Sequence, residues 1–152
     1  MMNYFRVSKF NPAMEKRMEW TSVFDVGKAY HGKTFTFAMY KKVEKQYTDF
    51  VMEVVRISKI EKVKILYLEN ADSTPWKTGQ QYDIGQIGGF IRDCLEEKCW
   101  GQFTANQFIW EAGYDFYMHI GTNLCMDQMK NIAQKYNLFV ENWDKIECLD
   151  NS

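Results

Sequence analysis

Only two of the 152 residues are proline, Pro12 and Pro75, so the chain has no proline-rich linker, and no segment is of low complexity or repeated. At 46% hydrophobic and 16% aromatic it lies outside the disordered class. Long apolar runs are missing too. No window approaches the roughly 20 apolar residues that a membrane-spanning helix needs, and Arg92, Glu96 and Asp115 interrupt the richest stretches. Met1 to Asn11 carries charge among its apolar residues and has no small-residue cleavage site, which argues against a secretory signal and sets the expectation of a cytoplasmic protein.

Histidine is scarce. His31 and His119 are the only two, without the HExxH spacing of a zinc site, so neither histidine-centred acid–base chemistry nor a metal centre is expected. His119 would share a strand face with Asp115 and Tyr117, a grouping that fits a solvated face better than a hydrolytic one. Four cysteines, Cys94, Cys99, Cys125 and Cys148, show no pair at the two-residue spacing that zinc and redox motifs favour, and are expected as buried, reduced thiols. No catalytic residue and no cofactor emerges from these patterns.

What is present is enough for one globular domain over residues 1–152, with a core that buries roughly two-thirds of the unfolded surface. Charge is unevenly distributed. Residues 1–64 hold 13 Lys and Arg against 7 Asp and Glu, whereas residues 65–152 hold 6 against 13. An acidic second half suits a basic partner, provided the two halves do not intermix their charges on one surface. The basic first half does not point to nucleic acid, because its cations fall on a helix face without interleaved exposed aromatics.

Alternation over Tyr4–Phe10 predicts a strand, which Asn11-Pro12 ends. A charged stretch to Arg17 leads into a second extended segment, Glu19–Val26, and alternation of Phe35, Phe37 and Met39 with Thr34, Thr36 and Ala38 predicts a third. From Tyr40, apolar residues recur at three- and four-residue steps through Val43, Tyr47, Val51, Val54 and Ile57, an amphipathic helix. Val63–Leu68 reads as a buried strand and Ile84–Leu95 as a second helix. Phe103–Trp110 and Tyr114–Ile120 flank Ala112-Gly113 as a hairpin; a third helix spans Cys125–Tyr136, with Asn137 as its cap, before a last strand, Leu138–Glu141. This order predicts an α+β fold, a mixed or mostly antiparallel sheet with about three packed helices.

Two segments are candidate sites. Gly27 to Thr34 fits the phosphate-loop pattern, in which glycines such as Gly27 and Gly32 free backbone amides for phosphate, Lys33 reaches its charge and Thr34 binds magnesium. The context argues against it, since Thr34–Met39 alternates like a strand where a helix should open, and an ordinary hairpin or connecting loop is the competing reading. Glu69, Asp72, Trp76, Tyr82 and Asp83 gather in or beside one strand-to-helix loop, a mix of aromatics and acids that could anchor and orient a protein partner. Trp76 capping the core among solvated acids is the alternative.

The amino-terminal pattern Tyr4-Phe5-Arg6-Val7-Ser8-Lys9-Phe10-Asn11-Pro12, then Glu19-Trp20-Thr21-Ser22 and Asp25-Val26-Gly27-Lys28, resembles a family of small bacterial immunity proteins encoded beside polymorphic and contact-dependent growth inhibition toxins. The likeness covers about the first quarter of the chain distinctly and Gly113–Ile120 loosely. It implies a cytosolic antitoxin that binds a cognate toxin domain, often a nuclease, and blocks its active site without catalysing a reaction. Lys33 lies outside that pattern. Such families differ most at the toxin surface, so the resemblance assigns no contact residue.

Overall fold

The computed structural model describes residues 2–14 and 19–149, so the charged stretch read up to Arg17 lies partly outside the described residues. One seven-stranded antiparallel sheet dominates, in the order β5-β4-β6-β7-β8-β1-β9. Its strands are β1 (Asn3–Ser8), β4 (Lys62–Glu69), β5 (Gln81–Asp83), β6 (Trp100–Ala105), β7 (Phe108–Ala112), β8 (Met118–Thr122) and β9 (Phe139–Asn142). A separate hairpin pairs β2 (Ala29–Tyr30) with β3 (Lys33–Thr34). Three helices complete the fold: α1 (Phe37–Ile57), α2 (Ile84–Leu95) and α3 (Met126–Gln134). The α+β reading holds, with every pairing antiparallel.

Several boundaries differ from expectation. Glu19–Val26 is no strand; it carries only a short 3-10 turn, Val23–Asp25. The strand read over Phe35, Phe37 and Met39 is mostly helix, because the Thr36 hydroxyl accepts from Met39 N–H at 3.2 Å and caps α1 three residues earlier than the periodicity indicates. Phe103–Trp110 is two strands, folded at Asn106-Gln107, where Gln107 takes a left-handed φ of 56°. Gly113–Tyr117 then links β7 to β8, so Tyr114 stands in a loop and not in the strand read over Tyr114–Ile120. Beyond Lys135, the C-cap of α3, Asn137 takes the left-handed φ of 57° that ends the helix, with the Leu138 N–H bonded to Ala133 O at 3.0 Å.

The register sorts the two sheet faces. Phe103, Trp110, Ile120 and Phe5 stand opposite one another across four strands and are buried with Tyr47, Phe50, Ile87 and Phe90 of the helices in one apolar cluster. The neighbouring row, Gln102, Glu111, His119, Arg6 and Glu141, is polar. It is covered by the segment after β9: the Trp143 ring stacks on His119 at 5.0 Å, and Gln102 bonds Glu147 O at 2.8 Å and Leu149 N–H at 2.9 Å. His119 therefore faces Glu111, 3.6 Å away, and belongs to a row separate from the Asp115 turn.

At the β4–β6 contact a register shift between Ile65 and Tyr67 pushes a carbonyl toward the neighbouring strand. Gly101 accommodates it: a Cβ there would meet Tyr67 O at 2.3 Å, so any side chain would force the strands apart. Tight pairing here brings the starts of β6 and the end of β4 together at one corner of the sheet.

Candidate functional site

At that corner lies a groove of about 480 Å³. Five separated segments build it: Thr21–Phe24, the end of β4 at Glu69-Asn70, the last turn of α2 from Cys94 to Glu97, the start of β6 at Cys99-Trp100, and residues 112–117. Glu69, Glu97 and Asp115 supply three carboxylates, and among the described residues no Lys, Arg or His lines it. Two aromatic side chains stand out at its rim, Phe24 at 72% exposure and Tyr114 at 84%. Most aromatic rings of this chain are packed inside, so two bare ones beside a single anionic groove are a local departure from burial.

The backbone around the groove is held in an uncommon conformation. Among the described residues, eight non-glycine residues have positive φ, and four of them line this site: Asn70 (56°), Glu97 (59°), Asp115 (55°) and Phe116 (66°). A left-handed conformation costs about 1–2 kcal/mol for a residue with a Cβ, so it persists only where neighbours enforce it. For Phe116 the enforcement is visible. Its ring packs edge-on against Trp20, Tyr40 and Tyr47, and its carbonyl accepts from Tyr47 Oη at 2.8 Å. Asp115 and Phe116 are the two central residues of a β-turn closed by Tyr117 N–H to Tyr114 O at 3.1 Å, which projects Tyr114 outward.

Glu97 is fixed by the end of α2. Lys98 N–H bonds Asp93 O at 2.9 Å and Glu97 N–H bonds Cys94 O at 3.0 Å, a helix stop at which glycine is the usual residue. Here a glutamate occupies it, and its carboxylate accepts from Ser22 Oγ at 2.5 Å. Ser22 also caps the 3-10 turn by accepting from Phe24 N–H at 3.1 Å, so the segment bearing Phe24 is tied to α2. Asp25 completes the turn, accepting from Thr21 N–H at 2.9 Å and pairing with Lys28 at 2.9 Å. Burial raises the Asp25 pKa, but the Lys28 and backbone bonds outweigh it and leave the carboxyl below its ordinary value. Asp25, Lys28 and Ser22, part of the amino-terminal pattern, are thus the staples of the loop that presents Phe24.

Gly27 to Thr34 folds as the small hairpin. His31 (φ 52°) and Gly32 (φ 76°) form its two-residue turn, and the strand ends are held by Gly27 N–H to Phe35 O and Phe35 N–H to Lys28 O, both 2.8 Å. Lys33 and Thr34 are exposed on a strand and do not open a helix, so the amide cradle of a phosphate loop is not formed.

Of the five residues around the β4–α2 connection, three have structural work. Tyr82 is buried, its hydroxyl accepting from Lys77 N–H at 3.0 Å, contrary to its reading as a partner contact. Trp76 is half-buried against Tyr82 and Phe90 and donates to Asp93 Oδ2 at 2.8 Å. Asp83 stands at the N-cap of α2, its N–H bonded to Gln86 Oε1 at 3.0 Å. Asp72 is exposed, and Glu69 alone lines the groove. Periodicity gives no sign that Phe24, Tyr114 and Glu97 meet Asp115 around one groove. The Asp-Phe pair at left-handed positions has no turn signature, and exposure of an aromatic is invisible to periodicity.

The charge split is only partly preserved in space. Arg6 pairs with Glu141 at 2.7 Å, Lys135 with Glu53 at 2.7 Å and Lys41 with Glu96 at 3.3 Å, each joining the two halves. The groove is where acids of the second half stand without a cation among its described lining residues. Two of the four cysteines, Cys94 and Cys99, are buried and line it; Cys125 and Cys148 are exposed, contrary to expectation. Among the described residues no group of three or more His, Cys, Asp or Glu could hold a metal ion, and no helix is long and apolar enough to cross a membrane.

Fold and site together define a helix-backed antiparallel sheet presenting an anionic groove with aromatic edges. Against known proteins the chain matches no family model, no curated protein and no solved structure.

Proposed function

We propose that this chain is a bacterial immunity protein, an antitoxin of a contact-dependent growth inhibition system, that neutralises a cognate toxin domain by protein–protein interaction through the groove. The observation that carries the proposal is the conjunction of Glu69, Glu97 and Asp115 with the exposed Phe24 and Tyr114 on a rigidly held backbone. Aromatic anchors supply most of the energy of a protein interface, while charges around them set orientation and association rate. A rigid surface loses little conformational entropy on binding, which leaves more of the contact energy as affinity.

An anionic groove complements a cationic one. A nuclease must line its substrate path with cations to bind the phosphate backbone, and a carboxylate-rich protein surface occupying that path excludes the nucleic acid without any reaction. The resemblance of the amino-terminal pattern to immunity proteins points the same way, and Ser22, Asp25 and Lys28 of that pattern shape the rim that carries Phe24. The nucleotide-binding reading of Gly27, Gly32, Lys33 and Thr34 gains no support from a two-residue hairpin turn.

The test is a titration of the purified chain against the toxin domain encoded beside its gene, with cleavage of nucleic acid as the readout. Cleavage should cease near one equivalent. Undiminished cleavage at large excess would rule the proposal out.

A further inference from the structure

On the floor of the groove, the Sγ atoms of Cys94, in the last turn of α2, and Cys99, just ahead of β6, stand 3.7 Å apart. Both thiols are free. Their approach is built into the backbone: the left-handed Glu97 and the bond from Lys98 N–H to Asp93 O turn the chain back on itself within the four residues that separate them. Neither thiol is used by the binding role argued above. The remaining distance to a disulfide, about 2.05 Å between sulfurs, is less than about 2 Å of movement.

We propose that Cys94 and Cys99 form an oxidation site, at which a peroxide entering the groove converts the pair to an intramolecular disulfide that a small thiol reverses. The sulfur of the Cys99 thiolate attacks one oxygen of hydrogen peroxide. The O–O bond breaks, hydroxide leaves and takes up a proton as water, and Cys99 becomes a sulfenic acid. Cys94 then attacks the Cys99 sulfur, losing its own proton; the S–S bond forms, the S–O bond breaks and a second water leaves. Two thiols and one peroxide give one disulfide and two waters, with the sulfurs oxidised and the peroxide oxygens reduced.

The order of attack follows from the surroundings. The hydrogen bond from Cys94 lowers the Cys99 thiol below its ordinary value, whereas burial pushes Cys94 up, so Cys99 is the first to carry thiolate. Cys99 adjoins Trp100 and Cys94 lies three residues before Glu97, so closing the bond would draw the start of β6 against the end of α2 and reshape the groove floor.

The experiment uses the chain with Cys125→Ser and Cys148→Ser, exposed to hydrogen peroxide under native conditions, then alkylated and digested with trypsin. Cleavage after Lys98 separates the two cysteines, so a disulfide appears as peptide 93–98 joined to 99–130, released by dithiothreitol. The joined pair is expected in high yield, and Cys94→Ser should stop at a sulfenic acid on Cys99 that dimedone traps. Both residues remaining fully alkylatable, after peroxide treatment that oxidises Cys125 in the natural chain, would overturn the proposal. So would irreversible oxidation of either thiol without the crosslink.

Discussion

Tyr47 of α1 and Phe116 of the β7–β8 loop are joined by a 2.8 Å hydrogen bond from the phenol to the backbone carbonyl, inside the core and directly beneath the groove. The same hydroxyl accepts from Lys9 N–H at 2.7 Å, so one side chain ties β1's exit, the long helix and the strained loop together. Tyr47→Phe removes both bonds while keeping the ring. Unfolding in urea should show a loss of about 1–3 kcal/mol, the cost of buried polar groups deprived of a partner. Amide exchange over residues 114–117 should also accelerate by more than the global destabilisation accounts for.

A second prediction concerns Glu44, which is buried on α1 with Lys41 Nζ 2.5 Å from Oε1 and no donor at Oε2. Burial raises its pKa, and a hydrogen bond to Glu96 raises it further by letting the two carboxyls share a proton. Because the folded state holds the proton more tightly than the unfolded one, the stability from Glu44 is complete below the ordinary carboxylate value and lost as pH rises through the raised value. Burial raises Glu96 as well, but the bonds from Glu44 and Lys41 bring it below its ordinary value, so its contribution is instead lost on acidification. Glu44→Gln keeps a donor toward Glu96 without the charge. Its stability relative to the natural chain should increase as pH rises above the ordinary carboxylate value. A difference independent of pH would contradict a raised Glu44.

How far the sequence discloses this molecule depends on the residue in question. Helix α2 was legible from its apolar spacing between Ile84 and Leu95, and β1 from its alternation, because both bury a single face. Helix α1 misled at its start: Thr34, Thr36 and Ala38 alternate with aromatic and sulfur side chains as a strand would, and only the Thr36 cap reveals that Phe37 and Met39 are exposed on a first helical turn. The β6–β7 turn was hidden since Gln107, not glycine, adopts the left-handed conformation. The groove was least legible. It is assembled by long-range packing, and its strained positions hold Asn, Glu, Asp and Phe, whose conformations are imposed by neighbours such as Tyr47 and Ser22. Nor does the sequence show that Trp143 and the segment to Leu149 would cover the polar row of the sheet.

Phe24 and Tyr114 make a prediction that separates binding from folding. Each is largely exposed, so Phe24→Ala and Tyr114→Ala should change stability by no more than about 0.5 kcal/mol. Affinity for the toxin domain should fall by about 30-fold or more for at least one of them, the mark of an interface anchor. In the natural chain the association rate, followed by stopped flow, should decrease as salt is raised, since Glu69, Glu97 and Asp115 act over a distance that ions screen. A rate indifferent to salt would remove steering by these carboxylates.

The most direct measurement is hydrogen–deuterium exchange of the chain alone and in complex with its toxin domain. Residues 21–24, 95–100 and 113–117 should gain protection together, because they form one surface around the groove. Protection confined to other surfaces, such as the β2–β3 hairpin or the exposed face of α1, would contradict the groove as the inhibitory site.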